Sequence, residues 1–121
     1  MSHELRYDSD IDCIFLCFQG RVTIELITEI APEVARMSAK TGCHRLLNNM
    51  SAATVDISIS DLYYSPEVMD KSGVLRTLKK ALVVPPSFDE SGFLEDVTRN
   101  RGHNLMVFKD IENAKKWLFD K

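Results

Sequence analysis

SFDESGFLEDVTRNRGHNLMVFKDIENAKKWL, the stretch from Ser87 to Leu118, decides the fold at one end of the chain. Ser87 and Glu90 have the spacing of a capping box, in which the serine accepts from the third helical amide and the glutamate reaches back to the cap. This spacing predicts a helix that begins after Ser87 and ends at Gly102, because glycine readily takes the left-handed conformation that stops a helix. A short apolar strand and a second capped helix follow.

The second half of this stretch predicts that strand and a closing helix. Asn104–Phe108 is short and mostly apolar, and Asp110 can accept a hydrogen bond from a free amide in the first turn of the next helix. The expected buried face of the closing helix consists of Ile111, Ala114, Trp117 and Leu118. No residue here has the pattern of a catalytic group.

The first forty residues predict two strands and a helix. His3–Asp8 and Asp12–Phe18 are joined by a short turn, so they should pair antiparallel. Thr23 is the expected cap of a helix that ends at Thr41-Gly42. Its apolar residues recur at helical spacing, namely Leu26, Ile27, Ile30, Val34 and Met37. Pro32 predicts a kink or a restart within it, because proline removes a donor and clashes with the preceding turn.

The middle of the chain completes an alternating order. A strand, a loop and a strand are predicted at Arg45–Asn49, Met50–Val55 and Leu78–Val84. A helix between them should be capped by Ser60, or by Ser65 before Pro66, and should end at Gly73. The order ββαβαβαβα predicts an α/β domain spanning residues 1–121, with a five-stranded, mostly parallel sheet whose first strand is antiparallel and four flanking helices.

Composition excludes several classes of function. The formal net charge of −3 gives no general attraction to nucleic acid or to anionic membranes. The longest apolar run, Cys13–Phe18, is a buried strand and not a membrane span. The N-terminus lacks the pattern of a secretory signal. Three cysteines at irregular spacing fit no disulfide framework, which favours a reducing cytoplasm with the thiols as small hydrophobes.

Two motifs carry a resemblance to a known family. EDVTRNRG at residues 95–102 and FKDIENAKKWL at residues 108–118 resemble the SpoIIAA-like family of the STAS superfamily, also described as STAS/CRAL-TRIO-like. Gly20, Pro32 and Asp61-Leu62-Tyr63 before Pro66 are similar to the family as well. The resemblance implies a bacterial, non-enzymatic domain that binds other proteins and uses no cofactor.

The resemblance also implies a candidate switch. In anti-sigma-factor antagonists of this family, a serine at the start of the second helix is phosphorylated within an Asp-Ser-x-Gly type motif. Residues 48–52 read Asn-Asn-Met-Ser-Ala instead. Ser51 is the nearest match, but the aspartate and the glycine of the motif are absent.

The third-strand loop and the second helix, Asn48 to Val68, form the expected interaction surface. Adjacent Tyr63 and Tyr64 cannot both face one core, so at least one should point to solvent or to a partner. The surface residues are expected to be Asn48, Asn49, Met50, Tyr63, Tyr64 and Val68. The partner would be another protein or a second copy in a homodimer. The alternative is a carrier of a small hydrophobic ligand or lipid, which needs a cavity on the order of 300 Å³.

An enzyme is the least favoured class. His3, His44 and His103 lack the spacing of metal ligands, and the latter two are expected to be half-exposed at strand starts. Cys13 and Cys17 share a strand face and are expected to pack in the core. Lys79-Lys80 is explained by solubility, and no nucleophile or cofactor motif occurs. We therefore expect neither catalytic residues nor a metal site.

Overall fold

The computed structural model describes residues 2–120 and contains six strands and four helices. The strands are β1 Ser2–Asp8, β2 Cys13–Val22, β3 Arg45–Asn49, β4 Ala53–Val55, β5 Lys79–Val83 and β6 Leu105–Phe108. The helices are α1 Ile24–Thr41, α2 Ile59–Ser72, α3 Ser91–Asn100 and α4 Ile111–Leu118.

The sheet is mixed, and its order is β1-β2-β3-β5-β6. β1 and β2 pair antiparallel, whereas β2–β3, β3–β5 and β5–β6 are parallel. Each of the later parallel strands is reached through a helix, as parallel pairing requires a crossover connection. The α/β class, the antiparallel first strand and the order of helices and main strands are confirmed.

The prediction that residues 50–55 form only a loop is wrong. Ala53–Val55 is a strand, β4, that pairs in parallel with Gly20–Val22 at the end of β2. β2 runs beyond its predicted end at Phe18, because Gly20 takes a φ of +86° and lets the strand continue. The extension of β2 supplies the edge on which β4 forms.

Most of the predicted helix ends are confirmed. The side chains of Thr23 and Asp110 accept hydrogen bonds from the first turns of α1 and α4. Gly42 and Gly73 end α1 and α2 with left-handed φ values of 72° and 86°. α1 passes through Pro32 without a restart.

Two predicted caps are wrong. Ser58, and not Ser60, caps α2 by accepting from the amide of Asp61 at 3.1 Å. The capping box at Ser87 does not form, because the amide of Phe88 bonds the carbonyl of Pro85 and holds this segment in a turn. Phe88 is buried, so core packing of this side chain keeps Ser87 away from the start of α3.

The sheet has a hydrophobic cluster on each face. Ile14, Leu16 and Phe18 of β2 pack with α1, α2 and α3 on one face. Cys13 packs with Ala114 and Leu118 of α4 on the other. The alternation of side chains along a strand sends the two sets to opposite faces. α2 contacts both α1 and α3, which leaves its remaining side open for a site.

Candidate functional site

α2 packs between α1 and α3 through one side of the helix. Leu62 and Pro66 are its buried residues, and Met69 packs partly against the same cluster. The spacing of three and four residues between them puts all three on one side of the helix. Ser65 donates to the carbonyl of Leu62 at 2.7 Å and so satisfies a backbone acceptor beside the proline. The rest of the helix surface faces away from the core.

An aromatic patch, Ile59, Tyr63 and Tyr64, lies on that exposed surface. Each of the three side chains belongs to a residue that is 55% exposed. The tyrosine rings meet edge to face, with centroids 5.2 Å apart and planes at 88°, which is a favoured aromatic geometry. The structure exposes both tyrosines, one more than the sequence argument requires.

The aromatic patch is the main concentration of exposed apolar side chains in residues 2–120. Five large hydrophobic residues there are exposed, and three of them are in this patch. The other two, Ile11 and Leu75, stand in separate loops. Scattered single apolar residues are ordinary on protein surfaces, whereas a cluster on one element is typical of an interaction site.

The other residues of the expected surface differ in how far they are buried. Met50 is 5% exposed and packs in the core, so its inclusion in the surface is wrong. Its amide bonds the carbonyl of Val83, which draws the side chain under the helices. Asn48 and Val68 are half-buried, and Asn48 turns a buried Oδ1 inward that has no hydrogen-bond partner in the described part of the chain.

Ser51 lies in the exposed turn between β3 and β4. Its hydroxyl donates to Oδ1 of Asn49 at 2.7 Å, and its amide donates to the same atom at 3.0 Å. A strand follows this serine, and α2 begins only at Ile59. A phosphate on Ser51 would therefore lack the favourable field of a helix N-terminus.

A cavity of about 120 Å³ lies between the sheet and α1, α2 and α3. Its lining is almost wholly apolar and includes Ile27, Val55, Ile57, Leu62, Met69 and Leu94. A carrier of a lipid needs about 300 Å³, so this cavity is too small for a lipid. It is close to the size of cavities that admit benzene or xenon.

A buried polar cluster lies beneath the C-terminal end of α2, and the sequence argument missed it. Lys80 is 1% exposed, and its Nζ donates to the carbonyls of Leu75 and Leu78 at 3.1 and 2.8 Å. Burial lowers its pKa to about 8. Solubility therefore does not explain Lys80. The alternation Leu78, Lys80, Leu82 along the strand contains the signal that would have placed Lys80 in the core.

His103 belongs to the same cluster. It is 3% exposed, so the expectation of a half-exposed residue is wrong. Its Nε2 lies 2.9 Å from Oδ1 of Asp70, whose other oxygen accepts from Arg76 at 3.0 Å. Burial, with the charge of Lys80, lowers the pKa of His103. The hydrogen bond from Arg76 lowers the pKa of Asp70 to about 2.

The cluster ties the C-terminal end of α2 to the end of α3. The Nδ1 atom of His103 is buried without a partner in the described part of the chain. Within residues 2–120, no three side chains of histidine, cysteine, aspartate or glutamate come together in a way that would hold a metal ion. None of the helices described is long and apolar enough to cross a membrane.

Comparison with known proteins identifies the fold. No family model and no curated protein sequence matches the chain. The structure is similar to that of the anti-sigma factor antagonist SpoIIAA in its unphosphorylated form, with a TM-score of 0.55 and 7% identity over 94% of each chain. It is also similar to the Bacillus cell fate determinant SpoIIAA in its phosphorylated form, with a TM-score of 0.52 and 9% identity over 96% of this chain and 99% of that one.

A third similar structure comes from Shewanella loihica PV-4. It is an uncharacterised protein of the DUF3478 family with a SpoIIAA-like fold, and it matches with a TM-score of 0.53 and 19% identity. The match covers 97% of this chain and 92% of the other. The chain therefore has a SpoIIAA-like fold, the fold that the resemblance of residues 95–102 and 108–118 implies.

Proposed function

We propose that this chain is a single-domain, non-enzymatic module that binds another protein, or a second copy of itself, through the outward surface of α2. The observation that carries the proposal is the aromatic patch of Ile59, Tyr63 and Tyr64, all more than half exposed on one element. Tyrosine supplies large contact area at low entropic cost and is enriched at protein interfaces.

Two further features support a role in recognition. Buried Leu62 and Pro66 pack α2 against the rest of the molecule, and Asp70 contacts His103 at 2.9 Å. These contacts hold α2 in place, so its outer surface lies on a rigid element. One protein with a similar structure is described as an anti-sigma factor antagonist, which is a regulatory protein. The free thiols of Cys13, Cys17 and Cys43 favour action in a reducing cytoplasm.

Site-specific photo-crosslinking in the cell that expresses the chain tests the proposal. A photoreactive phenylalanine derivative at position 64 should give a covalent protein adduct after irradiation, because a bound partner lies within reach of the ring. The same residue at position 11 is the matched control, since Ile11 is an exposed apolar residue away from the aromatic patch. The proposal would be contradicted if position 64 captured no protein, or no more protein than position 11.

Ser51 enters the proposal as a candidate regulatory position. It is exposed in the turn between β3 and β4, and β4 separates it from the segment that leads to α2. Phosphorylation would add a dianion beside Asn49 and so change the rim of the surface. Replacement of Ser51 by glutamate should then weaken the capture from position 64, whereas Ser51→Ala should leave it unchanged. Equal capture from both variants would remove Ser51 from the proposal.

The apolar cavity favours a second candidate, a carrier of a small apolar molecule. A space of about 120 Å³ lined by Ile27, Leu62 and Leu94 suits a molecule of the size of benzene. Saturating benzene should raise the Tm of the protein by roughly 2–4 °C, because a ligand that binds only the folded state stabilises it. Leu94→Phe, which fills the cavity, should abolish the shift. An equal shift in that variant, or none in the wild type, would exclude this candidate.

A further inference from the structure

Asn48 lies in the wall of the apolar cavity, near the centre of the sheet. Its strand, β3, is flanked by β2 and β5, and Asn48 stands in register with Leu16 on one side and Leu82 on the other. All three residues line the cavity. Leu46 and Met50, two positions before and after Asn48, are buried in the same cluster, as the alternation of side chains along a strand requires. The side-chain amide of Asn48 therefore lies among apolar side chains.

Within residues 2–120, no group donates a hydrogen bond to Oδ1 of Asn48, which is buried. The next residue, Asn49, differs, because its Oδ1 accepts from the amide and from the hydroxyl of Ser51. A ligand donor that reaches Oδ1 of Asn48 would displace no hydrogen bond within the protein. Most of the free energy of the new hydrogen bond would therefore contribute to binding.

The other polar side chains on the cavity wall already have partners. Ser65, Lys80 and Thr98 each donate to backbone carbonyl oxygens. Small-molecule sites in proteins are mostly apolar, and a few placed polar groups fix the orientation of the ligand. Asn48 supplies such a group here. Because Oδ1 is an acceptor, it selects a ligand that carries a donor.

We propose that the cavity binds a small, uncharged, apolar molecule with one hydroxyl group, about the size of phenol, and that this hydroxyl donates to Oδ1 of Asn48. The inference goes beyond the contact of α2 with another protein, and it deepens the second candidate function, on which it rests. An uncharged ligand is favoured because burial of a charge among apolar side chains costs far more free energy than burial of a hydroxyl group.

The size of the cavity limits the ligand to a single ring. Its volume is about 120 Å³, and phenol has one heavy atom more than benzene, which binds in cavities of about 150 Å³. Ile27, Ile57 and Met69 on the lining are half-buried, so the cavity reaches close to the surface beside α1 and α2. A ligand this small should bind with a Kd on the order of 1 mM.

A comparison of phenol with toluene tests the role of Asn48. The two molecules have nearly the same shape, but toluene carries a methyl group in place of the hydroxyl. Each is titrated into the wild type and into Asn48→Leu, which keeps a side chain of similar size, and the NMR shifts of the backbone amides give the Kd. The ratio of the two Kd values should change roughly 5–10-fold in favour of toluene in Asn48→Leu, because only phenol loses a hydrogen bond.

Three controls assign this change to the cavity. Asn49→Leu alters the neighbouring asparagine, whose side chain points to the opposite face of the sheet, and should leave both Kd values unchanged. Leu94→Phe, which fills the cavity, should abolish the binding of both molecules. Toluene should bind Asn48→Leu with a Kd within about threefold of the wild-type value, which would show that the cavity survives the replacement.

An unchanged ratio in Asn48→Leu, or an equal change in Asn49→Leu, would overturn the inference, and binding of toluene to the wild type would then still support a carrier of apolar molecules. If neither phenol nor toluene binds the wild type at about 5 mM, well above the expected Kd, the inference and the carrier both fail. The binding of a protein through α2 is tested separately, by the capture from position 64.

Discussion

At the scale of the residue, Lys80 is the most unusual group in the molecule. Its ammonium is fully buried beside an apolar cavity, and within residues 2–120 its hydrogen-bond partners are the carbonyls of Leu75 and Leu78. Removing water from a charged amine costs free energy and favours the neutral form. The buried charge therefore opposes folding at neutral pH, and the two carbonyl hydrogen bonds offset part of that cost.

Because the burial of Lys80 lowers its pKa, the free energy of unfolding should rise with pH above pH about 8. Below pH about 8 Lys80 is protonated in both states. Between pH about 8 and the ordinary value of 10.5 the folded state releases the proton first, so the unfolded state binds more protons and the free energy of unfolding rises. We expect wild type to gain roughly 1–3 kcal/mol relative to Lys80→Met between pH 7 and pH 10.

Urea unfolding of both proteins at each pH measures that difference. Comparison with Lys80→Met cancels the contributions of other groups that titrate in this range, such as Tyr7, whose hydrogen bond to Asp12 raises its pKa to about 12. A constant difference between the two proteins from pH 7 to pH 10 would mean that the lysine is solvated in the folded state.

The burial of His103 and Lys80 could not be predicted from the sequence. A histidine or lysine at the start of a strand is most often exposed, and the identity of the residue says nothing of the helix that covers it. The burial of both depends on where α2 and α3 cross the sheet, which is a tertiary property. The exposure of at least one of Tyr63 and Tyr64 was predictable because adjacent residues on a helix cannot share one narrow side, whereas the exposure of both was not.

At the scale of the element, Ser58 decides where α2 begins. Its hydroxyl accepts from the amide of Asp61, whereas Ser60 lies exposed within the first turn. Ser58→Ala should lower the free energy of unfolding by about 1 kcal/mol, the usual value of an N-cap. Ser60→Ala should change it by less than about 0.5 kcal/mol, as at an ordinary surface position. Equal losses in thermal or urea unfolding would contradict this assignment of the cap.

The closing helix α4 supplies a second prediction at this scale. Leu118 is 1% exposed, so Leu118→Ala should cost about 2–5 kcal/mol of unfolding free energy. Trp117 is only half-buried, against Phe108 and Lys79, so its replacement by alanine should cost less, roughly 2 kcal/mol. The reverse ranking in denaturant unfolding would mean that the indole, and not Leu118, anchors α4.

The element boundaries show which sequence signals are dependable. The caps at Thr23 and Asp110 form as predicted, whereas the capping box at Ser87 does not form. The cap of α2 was missed because three serines, Ser58, Ser60 and Ser65, lie within a stretch of eight residues, and the choice between them depends on how the first turn of the helix packs. β4 was missed because a three-residue strand has no pattern of its own and exists only where the extended end of β2 pairs with it.

At the scale of the whole molecule, the order of elements was predictable and the cavity was not. Apolar stripes with periods of two and of about 3.6 predict which segments are strands and helices, and the crossovers then impose a parallel sheet. The volume of about 120 Å³ left between sheet and helices is a small difference between the space enclosed by these elements and the volume of the side chains that fill it. A sequence pattern does not determine so small a difference.

Within this architecture, one side of α2 is buried in the core and another side is exposed. The sheet and three helices on one face form the larger core, and α4 closes the other face. α2 joins the larger core by two fully buried residues and exposes an aromatic patch on its outer surface. The stability of the fold therefore depends on one side of α2, and the partner recognition that we propose depends on another side of the same helix.

The most direct measurement of that separation is photo-capture from position 59 in a chain that also carries Tyr63→Ala and Tyr64→Ala, compared with the same probe in the wild-type background. The double replacement should abolish capture while the free energy of unfolding falls by less than about 1 kcal/mol, because both rings are exposed. Undiminished capture together with a loss of several kcal/mol would show that the two tyrosines support the fold and not the contact.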